Sequence, residues 1–178
     1  RLSLVGSEMC IRDSDYTPSA VMICITCVDA LLGTDMDRVC RKSSDRAGVP
    51  VVPCYMYALT REKRLPPMAS VRKSVYSLLK PRKRKSDEVN ILGYFSPLQE
   101  DCELYSLLKG AGVKTIRELS RCESFEEYEQ MSQANFSLVL NAEARYAAQQ
   151  MEQELNIPFI ELARVFQADK ISTQYRLL

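Results

Sequence analysis

The residues best equipped for chemistry in this chain are sulfur donors. Seven cysteines stand at positions 10, 24, 27, 40, 54, 102 and 122, and there is no histidine. Without imidazole there is no Ser–His or Cys–His nucleophile pair and no histidine-containing zinc site. Chemistry must come from thiolates, carboxylates, a bound cofactor or a partner. The cysteine count is odd, the spacing is irregular, and several thiols fall in apolar stretches, where cysteine packs as a small hydrophobe. This argues against a secreted disulfide framework and for a reducing cytosol, so a cytoplasmic protein is expected.

Cys24-Ile-Thr-Cys27 has CxxC spacing. A redox or zinc CxxC sits at a helix start, whereas this one falls on an apolar run that reads as a strand. Positions i and i+3 of a strand face opposite sides, so the two thiols do not readily hold one metal. Cys24 is expected in the core, with a metal-ligand role as its lesser reading. Cys27 closes the strand and opens a helix, where free amides and the helix dipole favour a thiolate. Cys54 follows a second short strand and is a further candidate ligand in the same cleft, although buried packing is the plainer reading. Cys40, Cys102 and Cys122 read as helix or loop thiols.

The remaining charged groups are less informative. Arg61, Lys63 and Arg64 lie in a loop after a strand, as contacts for an anionic ligand or as solvated side chains. Lys80-Pro-Arg-Lys-Arg-Lys85 lacks the interleaved aromatics of a nucleic-acid surface and reads as a solvated linker. The acids Glu126, Glu127, Glu152 and Glu154 sit on amphipathic helices and read as solvated faces. The net charge of +1 provides no field for nucleic acid or an anionic membrane. No apolar run approaches the roughly 20 residues of a membrane span. No Gly-x-Gly-x-x-Gly or Walker phosphate loop is present, so no NAD or ATP site is expected.

These residues are positioned by alternating elements. Strands are expected at Val21–Thr26, Val49–Pro53, Val89–Phe95, Val113–Ile116, Phe136–Leu140 and Pro158–Leu162. Between them run helical stripes: Leu32, Met36, Val39 and Cys40, closed by Gly48; Met68, Val71, Val75, Leu78 and Leu79; Leu104, Leu107, Leu108 and Ala111; Ala144, Ala147, Ala148, Met151 and Leu155. Ser124-Phe-Glu-Glu127 has the form of a capping box that opens a further helix, with Tyr128 and Met131 inward. Strand–helix alternation argues for an α/β fold of two doubly wound Rossmann-like units, with parallel sheets flanked by helices and the first unit incomplete. The expected divisions are a partial unit at 15–80, a basic linker at 81–87 and a second unit at 88–178, truncated at its end. Residues 1–14 resemble translated sequencing-adapter DNA, as in a metagenomic fragment, or a disordered segment, and carry no weight in the fold.

Two stretches resemble the nitrogenase component 1-type oxidoreductase family. Thr26-Cys27-Val-Asp-Ala-Leu-Leu-Gly-Thr-Asp-Met36 is similar to its Thr-Cys-x-x-x-(Leu/Val)-Ile-Gly-Asp-Asp-(Ile/Leu) motif. Asn90-Ile-Leu-Gly93, Leu107-Leu108-x-x-x-Gly112-Val113, Phe136–Leu140 and Met151-Glu-x-Glu-x-Asn-Ile-Pro-Phe-Ile-Glu161 follow in the family's order. The resemblance implies that Cys27 is one ligand of an iron–sulfur cluster at a subunit interface, with the other cluster cysteines upstream. It implies two partners, a homologous subunit and an ATP-dependent iron protein that supplies electrons. Leu140-Asn141-Ala142 has no cysteine where a dinitrogen-reducing subunit holds its cofactor, the histidine ligand is absent, and Thr34 replaces an acid. Dinitrogen reduction is therefore not expected. The alternatives left open are a non-catalytic cofactor-assembly scaffold of the same family and a metal-free Rossmann-like ligand-binding module.

Overall fold

A computed structural model describes residues 18–56, 65–162 and 165–177. The first strand, β1 (Val21–Ile25), leads directly into a short helix, α1 (Cys27–Leu32), and then into α2 (Met36–Ala47). Strand β2 (Val51–Tyr55) returns parallel to β1, in the register Val21↔Val51 to Ile25↔Tyr55. Helix α3 (Pro67–Tyr76) follows, with proline at its start, where a missing N–H costs nothing.

The single helix expected between the first two strands is in fact two. Gly33 adopts φ 64°, and Asp35 accepts a hydrogen bond from the Arg38 amide at 3.0 Å to start α2 afresh. Left-handed Gly48 closes it, with its amide on the Ser44 carbonyl. Strand boundaries also move by up to three residues: β2 spans Val51–Tyr55, not Val49–Pro53, the third strand ends at Leu92, not Phe95, and the fourth starts at Thr115, not Val113.

The second sheet has four parallel strands: β3 (Glu88–Leu92), β4 (Thr115–Glu118), β5 (Phe136–Val139) and β6 (Phe159–Glu161), in the order β4-β3-β5-β6. Helices α4 (Glu103–Gly110), α5 (Phe125–Glu129), α6 (Arg145–Leu155) and α7 (Ala168–Tyr175) accompany them. The capping box at Ser124 forms in a shifted version: its hydroxyl accepts from the Glu127 amide at 3.1 Å, and the Glu127 carboxylate accepts from the Glu123 amide at 2.9 Å.

All five β3 residues are buried, the polar Glu88 and Asn90 among them, as suits a central strand covered on both faces. Side-chain alternation divides the core. Val89, Ile91 and Leu138 pack with Leu104 and Leu108 on one face. Leu92 and Val139 pack with Met131, Ala147, Ala148 and Met151 on the other. Asn90 is buried on this second face and donates its amide to the Met131 carbonyl at 2.8 Å. Tyr76 and Leu79 join the same cluster, so α3 packs on α6 of the second sheet as well as on β2 of the first.

The basic stretch expected to be an open linker is exposed but tied down. Arg82 pairs with Glu129 at 2.7 Å, Arg84 donates to the Asn135 carbonyl, and the Lys85 ammonium pairs with Glu88 at 2.8 Å.

Candidate functional site

Of the sequence candidates, Cys27 lies at the carboxyl end of β1. Ile25 is 1 % exposed and holds the strand end, with its carbonyl accepting from the Met56 amide at 3.0 Å. Cys27 is the first residue of α1 and is half-buried, packed against Ile25 and Met36. Tyr55 donates its hydroxyl to Asp37 at 3.2 Å and so ties β2 to α2 beside it. The next turn of α1 is unusual: Val28 is 58 % exposed, Leu31 82 % and Leu32 73 %. Three exposed apolar side chains on the same short helix as the half-open thiol make an apolar patch beside it. Patches of this kind mark interaction sites more often than ordinary surface.

Cys24 and Cys54 occupy a different place. They face each other in register across β1 and β2, on the sheet face opposite Ile23, Ile25 and Cys27 by strand alternation. The expectation of a core Cys24 is corrected, because its side chain is exposed. Only one strand flanks β1 among the described residues, and no described helix covers it there. Cys54 does not follow its strand but lies within it, 2 % exposed, so it lines no cleft at the strand end. Burial first, and then the adjacent Cys24 thiol, push the Cys54 thiol up. Cys40 is buried on α2 and likewise raised, chiefly by desolvation. Cys102 and Cys122 are half-buried. No three potential ligands come together among the described residues. Arg61, Lys63, Arg64, Cys10 and the 1–14 segment lie outside the described residues.

A second constellation, not visible in the sequence, sits where the winding of the second sheet reverses between β3 and β5. Ligands bind at such switch points, outside the carboxyl ends of the strands. Gly93 leaves β3 at φ 147°, and a Cβ there would lie 2.9 Å from the Asn141 backbone nitrogen. Arg72 reaches across from α3 and donates through Nε and Nη2 to the Gly93 carbonyl at 2.9 and 2.8 Å. Its Nη1 donates to the Met68 carbonyl at 3.0 Å and pairs with Glu143 at 2.8 Å. The guanidinium lies 4.7 Å from the centre of the Phe95 ring. Every direction of this buried cation is engaged, so it fastens α3 to the strand ends. Asn141 accepts from the Glu143 amide at 3.0 Å and starts the next helical turn. The legible signals were Gly93 and Asn141 at the strand ends; Arg72 gave none, because its partner lies 21 residues away.

Residues 11–178 match the model of the nitrogenase component 1 type oxidoreductase family. The chain belongs to this family. Among its relatives is the nitrogenase iron-molybdenum cofactor biosynthesis protein NifE of Nostoc sp. (strain PCC 7120), 28% identical over 150 residues, covering 82% of this chain and 31% of the relative. The NifE of Rhizobium meliloti (strain 1021) is 34% identical over 102 residues, covering 56% of this chain and 21% of the relative. The nitrogenase molybdenum-iron protein alpha chain of Methanosarcina barkeri is 25% identical over 153 residues, covering 83% and 29%. Among solved structures, nitrogenase Cp1 at pH 6.5 matches with a TM-score of 0.67 at 21% identity, over 97% of this chain and 34% of that one. The chain thus spans about a third of the length of the component 1-type proteins it matches. The α/β fold expected for the family, with parallel sheets flanked by helices, is the fold observed. No described helix is long and apolar enough to cross a membrane.

Proposed function

We propose that this chain forms part of a component 1-type subunit that works in metallocofactor assembly, and that Cys27 supplies one thiolate to an iron–sulfur cluster shared with a homologous subunit. The single observation that carries this reading is the half-open Cys27 thiol at the mouth of β1, on a short helix that also exposes Val28, Leu31 and Leu32. A single thiolate fits as one ligand of an interfacial cluster and as nothing more, since iron–sulfur clusters usually take four. The cluster, when bound, passes electrons one at a time.

What the chain's own residues do follows from their placement. Ile25 and Met36 fix the base of Cys27, and Tyr55 with Asp37 braces β2 against α2. The three apolar side chains of α1 exclude water around the thiol once a partner covers them, which strengthens electrostatic interactions there.

Two observations favour assembly over dinitrogen reduction. Most of the curated relatives are NifE proteins. The strand end at Leu140–Ala142 offers Asn141, engaged in a helical cap, in place of a thiol. Reduction of another substrate, with electrons from an ATP-dependent iron protein, is the second reading; the Methanosarcina alpha-chain relative supports it.

Anaerobic co-expression of the full-length protein with a homologous partner gene tests the proposal. The expected product is a complex that carries iron and releases a metal cofactor to an apo-acceptor without turning over substrate. Sustained substrate reduction with the iron protein would establish the second reading, and an iron-free monomer would overturn both.

A further inference from the structure

We propose that Cys24 and Cys54 are a thiol–disulfide pair that closes reversibly across β1 and β2. The pair is made by strand register: Cys24↔Cys54 are direct partners of the parallel ladder. Neighbouring strands bring such partners to about 4.8 Å. A disulfide spans Cα separations of about 4.4–6.8 Å, so the ladder register holds the two backbones within its reach.

The two thiols differ in the way a reversible pair requires. Cys24 is exposed and open to attack from solvent, whereas Cys54 is 2 % exposed and meets no solvent reagent. Cys54 therefore acts as the resolving thiol. Ser74, which anchors α3 by donating to the Pro53 carbonyl at 2.8 Å, lies beside Cys54 and opposes the rise in its pKa. No other described cysteine competes. Cys27 belongs to the opposite face with Ile25 and Met36, and Cys40, though buried, lies on α2.

The step balances with a small-molecule disulfide as oxidant. The Cys24 thiolate attacks one sulfur of that disulfide and expels one thiol, forming a mixed disulfide. The Cys54 thiolate then attacks Cys24 Sγ and expels the second thiol. The protein loses two electrons and two protons, and the small disulfide becomes two thiols. The bridge pins β1 to β2 one residue before the strand end at Ile25, and a small dithiol reverses it. The inference rests on strand register and exposure and does not depend on what Cys27 binds.

The test equilibrates the full-length protein, reduced and handled anaerobically, in mixtures of oxidised and reduced glutathione. Acid quenching, alkylation and peptide mass spectrometry follow. The expected result is a Cys24–Cys54 linked peptide that rises with the oxidised fraction and disappears on reduction. Cys24→Ser removes the linked peptide and leaves the iron content unchanged. Cys54→Ser leaves glutathione trapped on Cys24; should that buried variant not fold, wild type and Cys24→Ser decide. Stable glutathione on Cys24 in the wild type, alkylation of both residues at every ratio, or a bridge from Cys24 to any other cysteine would overturn the proposal.

Discussion

The two sheets of this molecule differ in how much of their own surface they cover. In the second, all five residues of β3 are buried, and helices close both faces. In the first, β1 runs half-buried through Ile23, exposes Cys24 and buries only Ile25, while α1 turns three apolar side chains outward. The second sheet satisfies its own hydrophobic pattern; the first leaves part of its pattern unmet. The exposed apolar side chains of α1 lie beside the cysteine singled out by the family motif, and the proposed function puts the partner subunit there. Stability is concentrated in the closed β3–β5 core, whereas the open end of β1 carries the proposed cluster thiolate, Cys27.

This division can be tested by breaking each side in turn. The largest effect is expected in the closed core. Leu138→Ala, at a site with no exposure, should lower stability in urea titration by about 2–5 kcal/mol, whereas Ile23→Ala at a half-buried site of the open sheet costs about 1 kcal/mol. Equal losses would mean that the first sheet is as well packed as the second.

Gly93→Ala comes next, at about 2 kcal/mol or more. The substitution strains φ 147° and drives a Cβ into the Asn141 backbone, which cannot give way as a side-chain end would. A neutral result in the same titration would show that the β3–β5 junction is looser than described.

The acid limb provides a smaller, signed effect. Burial acts to raise Glu88, but hydrogen bonds and charge from Lys85 and Arg117 outweigh it and hold the carboxyl below the usual carboxylate range. The Arg145 guanidinium, bound to Glu161 through two hydrogen bonds of 2.7 Å, does the same for that group. Both contributions are therefore complete above the unfolded value, near pH 4.3, and are lost as pH falls through the lower folded values. Glu88→Gln should flatten the fall in stability below about pH 4.5, by roughly 1 kcal/mol, in melts recorded across that range. An unchanged slope would remove Glu88 from the account.

The smallest effect on folding is expected on the open side. Leu31→Glu with Leu32→Glu should change stability by no more than about 0.5 kcal/mol, because neither side chain is buried. The same pair should abolish co-purification with the partner subunit, since two desolvated carboxylates would oppose docking. Retained association would place the partner elsewhere.

How far the sequence anticipated this picture depended on the range of each interaction. Val89–Leu92 and Phe136–Val139 were legible because short, mostly apolar segments alternate with helical stripes, although each strand buries one polar residue, Asn90 or Ser137. The break between α1 and α2 was hidden, because Leu32, Met36, Val39 and Cys40 keep helical spacing across a glycine turn. Cys24 was misplaced in the core, because exposure depends on which elements flank β1, and that is a tertiary property. Arg72 looked like one cation on an amphipathic helix; its partners Gly93 and Glu143 are distant in sequence and carry no local signature. Cys27 was picked out by family motif and strand-end position together, neither of which reveals the apolar patch beside it.

The central claim is most directly tested by iron stoichiometry in the anaerobically purified full-length complex, comparing Cys27→Ser with Cys24→Ser. The account predicts that Cys27→Ser loses most of the interfacial iron and its low-temperature electron paramagnetic resonance signal, while Cys24→Ser keeps both. Full iron and an unaltered signal in Cys27→Ser would contradict it.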